Sequence, residues 1–468
     1  MCAQQTTADI TGRPVLIRGA YVLTMDDEQP DLPMGDILIR DGAIAEVASR
    51  IEADDAMVIE GEGRVAMPGF IDTHWHLWFV LFRGIVDDLP DTSWFATKAR
   101  MGPFVRAEDQ EAAVQLSLVE ALSTGITTVH NWAHNIGGPA DAEANVRARA
   151  GIPLRMHFSY GTPSTHPGLS PKQAATVMRH AGKALDEPMD LSEVAALRDR
   201  WTDPLLTFGV GLRGPARSTA SVWEREFAQA RELSLPIAMH CAGTLDEVEW
   251  IRQIELLAAV NALGPDLLLA HCNRITADER ELLAAHGVHV SMNPLNEVRY
   301  ALAAPQLSEL LDAGVSASFS IDSTAVLPAS PFETMRTAYG LERVRTGRIV
   351  APRTLLRLAT AGGARALGLA DRVGSIRKGK RADLVLLRLD RPGTIGTGDP
   401  AERIVHCGQP SDVETVIVDG RILKGAGTPS ASDVARIVAN AGAAQGRVLE
   451  RAGRSKEDLA RIVATVAR

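Results

Sequence analysis

Aromatic residues make up only 4% of this 468-residue chain, and cysteine occurs only four times, as Cys2, Cys241, Cys272 and Cys407. The cysteines form no CxxC pair and no framework spacing. That excludes a disulfide scaffold and leaves reduced thiols as the expected state. Basic charge is not in excess: 49 Lys and Arg stand against 58 Asp and Glu, for a formal net charge of -9. A nucleic-acid partner wants a basic face, and an anionic membrane surface wants a polybasic patch, so neither partner is expected. No apolar run reaches the length of a membrane span. The opening MCAQQTTADITGR lacks the basic and apolar regions of a signal peptide. A cytoplasmic protein is expected. Hydrophobic content of 46% and charged content of 23% are ordinary for a chain that buries a sizeable core.

The chain divides by pattern. Residues 1–66 carry short alternating strands and turns, as in VLIRGAYVLTM, GDILIRDGAIAEV and MVIEGEGRVAM. From 67 to 370 a short apolar strand followed by a helical stretch recurs. The strands are GFIDTH, GITTVHN, LRMHFSY, LTFGVGL, LPIAMH, DLLLAH, GVHVSMN and VSASFSID; AEDQEAAVQLSLVEALSTG and SPKQAATVMRHAGKAL are two of the helices. Eight such cycles predict an α/β fold, a (β/α)8 barrel; periodicity alone leaves a doubly wound open sheet as the alternative. Residues 371–425 return to β character in VGSIRKGKRADLVLLRLD and VETVIVDGRIL, and are read as completing a small β-sandwich begun at the N-terminus. Residues 426–468 read as an amphipathic helical tail that docks on the barrel or on another subunit.

Ionisable residues fall at the strand ends. His74 and His76 close the first strand, His240 the fifth, His271 the sixth and Asp322 the eighth. In a parallel barrel these ends share one mouth, where active sites lie. The two histidines of His74-Trp75-His76 point the same way on a strand, with Trp75 turned into the packing layer. Imidazole and carboxylate suit Zn, Fe, Co or Mn, and such ligands with one open position make a hydrolytic metal site. A lone strand-end histidine is usually structural, whereas the set of them is hard to obtain by chance. Cys241 and Cys272 each follow one of these histidines, and alternation turns them into barrel packing.

At these residues the chain resembles the amidohydrolase superfamily over nearly its full length. MPGFIDTHWH (67–76) resembles the family's opening motif, and AGGARALGLADRVGSIRKGKRADLVLL (361–387) its return to the sandwich, with GITTVHN, IAMHC, LLAHC and SFSIDS between them in the family's order. The branch resembled contains cytosine, guanine and triazine hydrolases. The resemblance implies one divalent metal ion, zinc first and Fe, Co or Mn as substitutes, held by His74, His76, His240 and Asp322. It gives catalytic roles to Asp322, which takes the proton of the attacking water, and to His271, which faces that water or the substrate oxygen. LTFGVGL offers no bridging ligand for a second metal, and Arg213 cannot supply one because it stays cationic.

Two departures bear on the reaction. Deaminases of this branch carry a glutamate three residues after the strand-five histidine; here that position is Gly243. A glutamine is frequent three residues after the histidine pair; here it is Phe79. Trp75, Trp78, Phe79 and Phe82 crowd together in a chain poor in aromatics, which predicts an apolar pocket. Trp78, Phe79, His130 and His157 are the candidate substrate contacts, with Asn131 and His134 nearby. Asn296, in SMNPLNEVRY, resembles a family turn with a deletion. Together these features predict hydrolysis of a small, uncharged amide, urea, carbamate or thiocarbamate, a group the family includes among its herbicide hydrolases. Heterocycle deamination is the first alternative and a non-catalytic barrel the second. The tail and the sandwich offer surfaces for a homo-oligomer.

Overall fold

The computed structural model describes residues 13–87, 92–163, 187–243, 251–425 and 429–454. The candidate helix SPKQAATVMRHAGKAL lies outside them.

Two eight-stranded sheets organise the chain. The first is mixed and comes from both chain ends: β1 (Val15–Val22), β2 (Leu32–Arg40), β3 (Ala43–Ala48), β4 (Met57–Glu60), β5 (Arg64–Pro68), β14 (Leu384–Arg388), β15 (Val413–Val418) and β16 (Arg421–Lys424). The ends meet where β5 runs antiparallel to β14, pairing Val65 with Leu387 and Met67 with Val385. The first half of VGSIRKGKRADLVLLRLD departs from the expected strand; only Leu384–Arg388 forms a strand, with a single bridge from Arg381 to Ala43 before it, because the preceding segment turns. A buried, two-pronged ion pair joins this sheet to the other: Arg155 Nε and Nη2 each lie 2.9 Å from an oxygen of Asp383.

The second sheet is parallel and runs in strict chain order: β6 (Phe70–Ile71), β7 (Ile126–Ala133), β8 (Arg155–Tyr160), β9 (Leu206–Leu212), β10 (Ile237–Cys241), β11 (Leu267–His271), β12 (His289–Met292) and β13 (Ser316–Phe319). These are the eight strands read from the sequence. Strands covered on both faces bury all their side chains, and every residue of β7 and β8 is buried, the polar ones included. The sheet wraps into a near-barrel, with the doubly wound alternative removed by this unbroken order. Inside it, hydroxyls satisfy one another: Thr73 Oγ1 lies 2.8 Å from Ser291 Oγ and 2.9 Å from Ser318 Oγ.

Three helices matter for the site. Helix α1 (Trp94–Met101) begins at Ser93, whose side chain accepts from the Ala96 amide. Helix α2 (Ala107–Ser123) packs on the 3-10 turn Leu77–Phe82. Further on, α3 (Pro294–Arg299) opens with proline in its first turn, where the missing N–H costs nothing. The C-terminal helix α4 (Ala431–Arg451) docks on the barrel against α2, burying Ile437, Ala441, Ala444, Val448 and Leu449. Arg447 and Arg451 both pair with the buried carboxylate of Asp109. No helix among the described residues is long and apolar enough to cross a membrane.

Candidate metal centre and substrate pocket

The strand-end residues converge as expected. His74, His76 and Asp322 bring one ligand atom each to within 4.8 Å of one another, and so do His74, His240 and His271. His74 Nε2 and His76 Nε2 each lie 3.5 Å from Asp322 Oδ1, and His76 Nε2 lies 3.2 Å from His240 Nε2. Trp75 is fully buried on the opposite side, and Cys241 and Cys272 are buried in the barrel packing.

Backbone geometry aims these side chains. Asp322 and His271 adopt φ of 65° and 77°, left-handed values that L side chains rarely take. Such conformations persist only where surroundings hold them, and they gather at functional sites. Asn296 on α3 holds one of them: its Nδ2 donates to the carbonyls of Ile321 and Ser323, which flank Asp322. Its neighbour Glu297 lies 3.6 Å from His271 Nδ1, and Asn293 Nδ2 lies 3.0 Å from the same nitrogen. The buried Asp72 links both sides, accepting from the amides of His74 at 3.1 Å and Ile321 at 2.6 Å.

The donor set fits a cation. Neither ring nitrogen of the fully buried His74 has a hydrogen-bond partner among the described residues. A buried imidazole so orphaned is costly unless something else takes its lone pair. Burial pushes His74, His76 and His240 below the ordinary histidine range, so they stand neutral with lone pairs available. His76 Nδ1 lies 3.4 Å from the Trp132 carbonyl, which as acceptor leaves Nε2 as the free donor atom. A zinc-like ion would sit among His74, His76, His240 and Asp322.

Above these residues opens a cavity of about 520 Å³, walled by Trp94, Trp132, His134 and Lys98, with Gly243 beside His271. The Trp132 ring lies 4.4 Å from the His240 ring, and Trp94 stacks on His134 at 5.7 Å.

The expected substrate contacts need correction. Trp78 and Phe79 are fully buried and do not reach the cavity; they belong to a second core with Phe82 and with Ala444, Val448 and Leu449 of α4. Residues 77–82 curl into a 3-10 turn whose every side chain is buried, and α2 and the distant α4 pack on that turn. They act from behind, Phe79 packing 4.7 Å from Trp94 and Trp78 Nε1 donating to His134 Nδ1 at 3.4 Å. His130 and His157 lie deeper in the barrel. His130 Nδ1 donates to the Thr73 carbonyl at 2.6 Å while its Nε2 accepts from Ser159, and His157 Nδ1 meets Thr207 Oγ1 at 2.9 Å. Neither lines the cavity. Arg213 reaches that wall but is tethered to the buried Glu226 and the Glu187 carbonyl.

The residues missed by pattern are Trp94, Lys98, Trp132 and Glu297. Trp132 was within reach, two residues beyond His130 on the same strand and therefore on the same face. The others sit on helices whose placement over the mouth no strand periodicity records.

The amidohydrolase family profile matches residues 65–423. The chain belongs to the amidohydrolase family. It is a hydrolase of carbon–nitrogen bonds other than peptide bonds. Over 428 residues it is 28% identical to the 5-methylthioadenosine/S-adenosylhomocysteine deaminase of Desulforamulus reducens, covering 87% of this chain and 93% of the relative. Among solved structures, a zinc-bound adenosine deaminase from Xanthomonas campestris superposes with a TM-score of 0.80 at 24% identity, over 93% of this chain and 98% of that one. The zinc-complexed atrazine chlorohydrolase of Arthrobacter aurescens gives 0.77 at 24% identity, over 92% and 100%. These structural likenesses speak for the shared fold. The relatives favour the aminohydrolase alternative over the amide and urea hydrolysis expected first.

Proposed function

We propose that this amidohydrolase is a mononuclear metal-dependent aminohydrolase that releases ammonia from a small planar nitrogen heterocycle. The observation that carries this reading is the aromatic slot over the ligand cluster, in which Trp132 lies 4.4 Å from the His240 ring. A flat ring slid along Trp132 would place its amine-bearing carbon over the ligand cluster. The deaminase relatives support the same reading.

The roles follow from position. A divalent cation held by His74, His76, His240 and Asp322 would bring the pKa of a water towards neutrality and so supply a nucleophile at ordinary pH. Asp322, whose other neighbours are the two Nε2 atoms at 3.5 Å, is placed to take the water's proton and hand it to the departing amine. His271, steadied by Asn293 and Glu297, is placed to hold the oxygen being added. Trp94 and Trp132 exclude water and keep the ring flat.

A second reading, hydrolysis of an amide or urea carbonyl, keeps one observation in its favour. Gly243 lines the cavity beside His271 and offers no proton carrier for a ring nitrogen. An added Cβ at Gly243 would lie only 3.1 Å from the His271 ring, so the position is closely fitted.

The test is ammonia release by zinc-loaded protein from 5'-deoxyadenosine, 5-methylthioadenosine and aminotriazines, run beside aryl ureas, carbamates and thiocarbamates. Ammonia from the heterocycles supports the proposal. Turnover confined to the ureas and carbamates would replace it with the second reading.

A further inference from the structure

Lys98 projects from α1 into the cavity wall beside Trp94 and His134. It is 7% exposed, and its ammonium lies 5.2 Å from the centre of the Trp94 ring. The charged group that acts on it among the described residues is Arg217, of like sign. A lysine this deep is rare unless paired, because taking a charge out of water costs several kcal/mol unless a counter-charge compensates. No pattern in the sequence marks the residue, and the metal chemistry makes no use of it.

The geometry points to Lys98 as a specificity residue that receives an anionic oxygen of the substrate, a carboxylate or an ionised ring oxygen. This rests on the aminohydrolase reading for the orientation of the ring, though the anion contact itself does not. Arg217 and Arg299 also line the wall, as do the carboxylates of Asp87 and, in the ligand cluster, Asp322. Burial, with Arg217 nearby, brings Lys98 down to about 7, so an arriving anion would stabilise its charged form. The cation–π contact with Trp94 keeps the ammonium in the slot while leaving its N–H donors for a ligand. A substrate with an anionic pole is the opposite of the uncharged one that the aromatic run suggests when read as a pocket wall.

The probe pair is 6-aminonicotinate and 6-aminonicotinamide, two rings of nearly one shape that differ in charge opposite the amine. Their binding to the zinc-loaded full chain is measured by calorimetry and by tryptophan quenching, with Lys98→Met and Lys98→Arg alongside and zinc content and melting temperature as controls. The acid should bind at least about tenfold more tightly than the amide. Lys98→Met should bring the two affinities together, and Lys98→Arg should keep them apart. Equal affinities in the unaltered protein, a preference that survives Lys98→Met, or no binding of either compound would overturn the assignment. Adding barbiturate, a ring-oxygen anion, separates that source of charge from a carboxylate. Ammonia release is followed in the same samples. Charge-selective binding without ammonia would count against deamination of these rings while leaving Lys98 in place.

Discussion

Asp322 and His74 are bonded through their backbones: the Asp322 amide donates to the His74 carbonyl at 2.7 Å, and the Asp322 carbonyl accepts from the His76 amide at 2.7 Å. The last barrel strand is thus stitched to the first at the ligand cluster itself. Closing the sheet and setting the distance between carboxylate and imidazoles are one structural event, so damage to either should be felt by both.

His240→Ala and Asp322→Ala should each abolish turnover and lower bound metal, read by elemental analysis of the purified variants. Asp322→Ala keeps the backbone bonds to His74 and His76 and should therefore remain folded by circular dichroism. Normal activity in either variant would remove that residue from the ligand set.

Asn296→Ala should leave metal content near normal yet reduce kcat by about 10- to 100-fold, the usual effect of removing a group that orients a ligand. The reason is that its amide holds the carbonyls on both sides of Asp322, a residue at φ 65°. A change in KM alone would show that Asn296 touches substrate instead.

Phe79→Ala should act on stability. Phe79 is fully buried between the 3-10 turn, Trp94 and the core beneath α4, and emptying such a site costs about 3–5 kcal/mol. Denaturant unfolding checks this. A variant of unchanged stability but altered substrate preference would return Phe79 to the pocket.

Stability should fall with acid through the buried histidines that do not bind metal. Burial holds His157 at about 4, against 6.5 for an exposed ring, and His130 also well below the ordinary value. Above about 6.5 both folded and unfolded chains keep His157 neutral. Between 6.5 and 4 the unfolded chain takes up the proton while the folded one does not, so stability declines as pH falls and levels off below 4. By pH 5 His157 alone accounts for about 2 kcal/mol. Melting curves from pH 7.5 to 5 should show the decline, and His157→Gln should flatten it.

How much was legible follows from which signals are local. The sequence by itself determined the eight strands, because eight short strand-like runs, GITTVHN and LRMHFSY among them, recur in alternation with helical stretches, and that alternation is the mark of the barrel. It also placed His74, His76, His240, His271 and Asp322 together, since residues ending parallel strands of a barrel share one mouth, and His74-Trp75-His76 alternates as a strand must. What only the tertiary structure decided is the wall of the pocket. The run from Trp75 to Phe82 is apolar whether it lines a cavity or fills a core. Its fate depended on α4, more than 350 residues later in the chain, whose Ala444, Val448 and Leu449 cover it. Lys98 is silent in sequence for the matching reason: one lysine on a short helix reads as solvated, and it becomes a buried cation only once that helix is folded over the barrel mouth beside Trp94. Strand periodicity reports what a segment does to its own neighbours, whereas burial of a loop or a charge is set by segments that arrive from elsewhere.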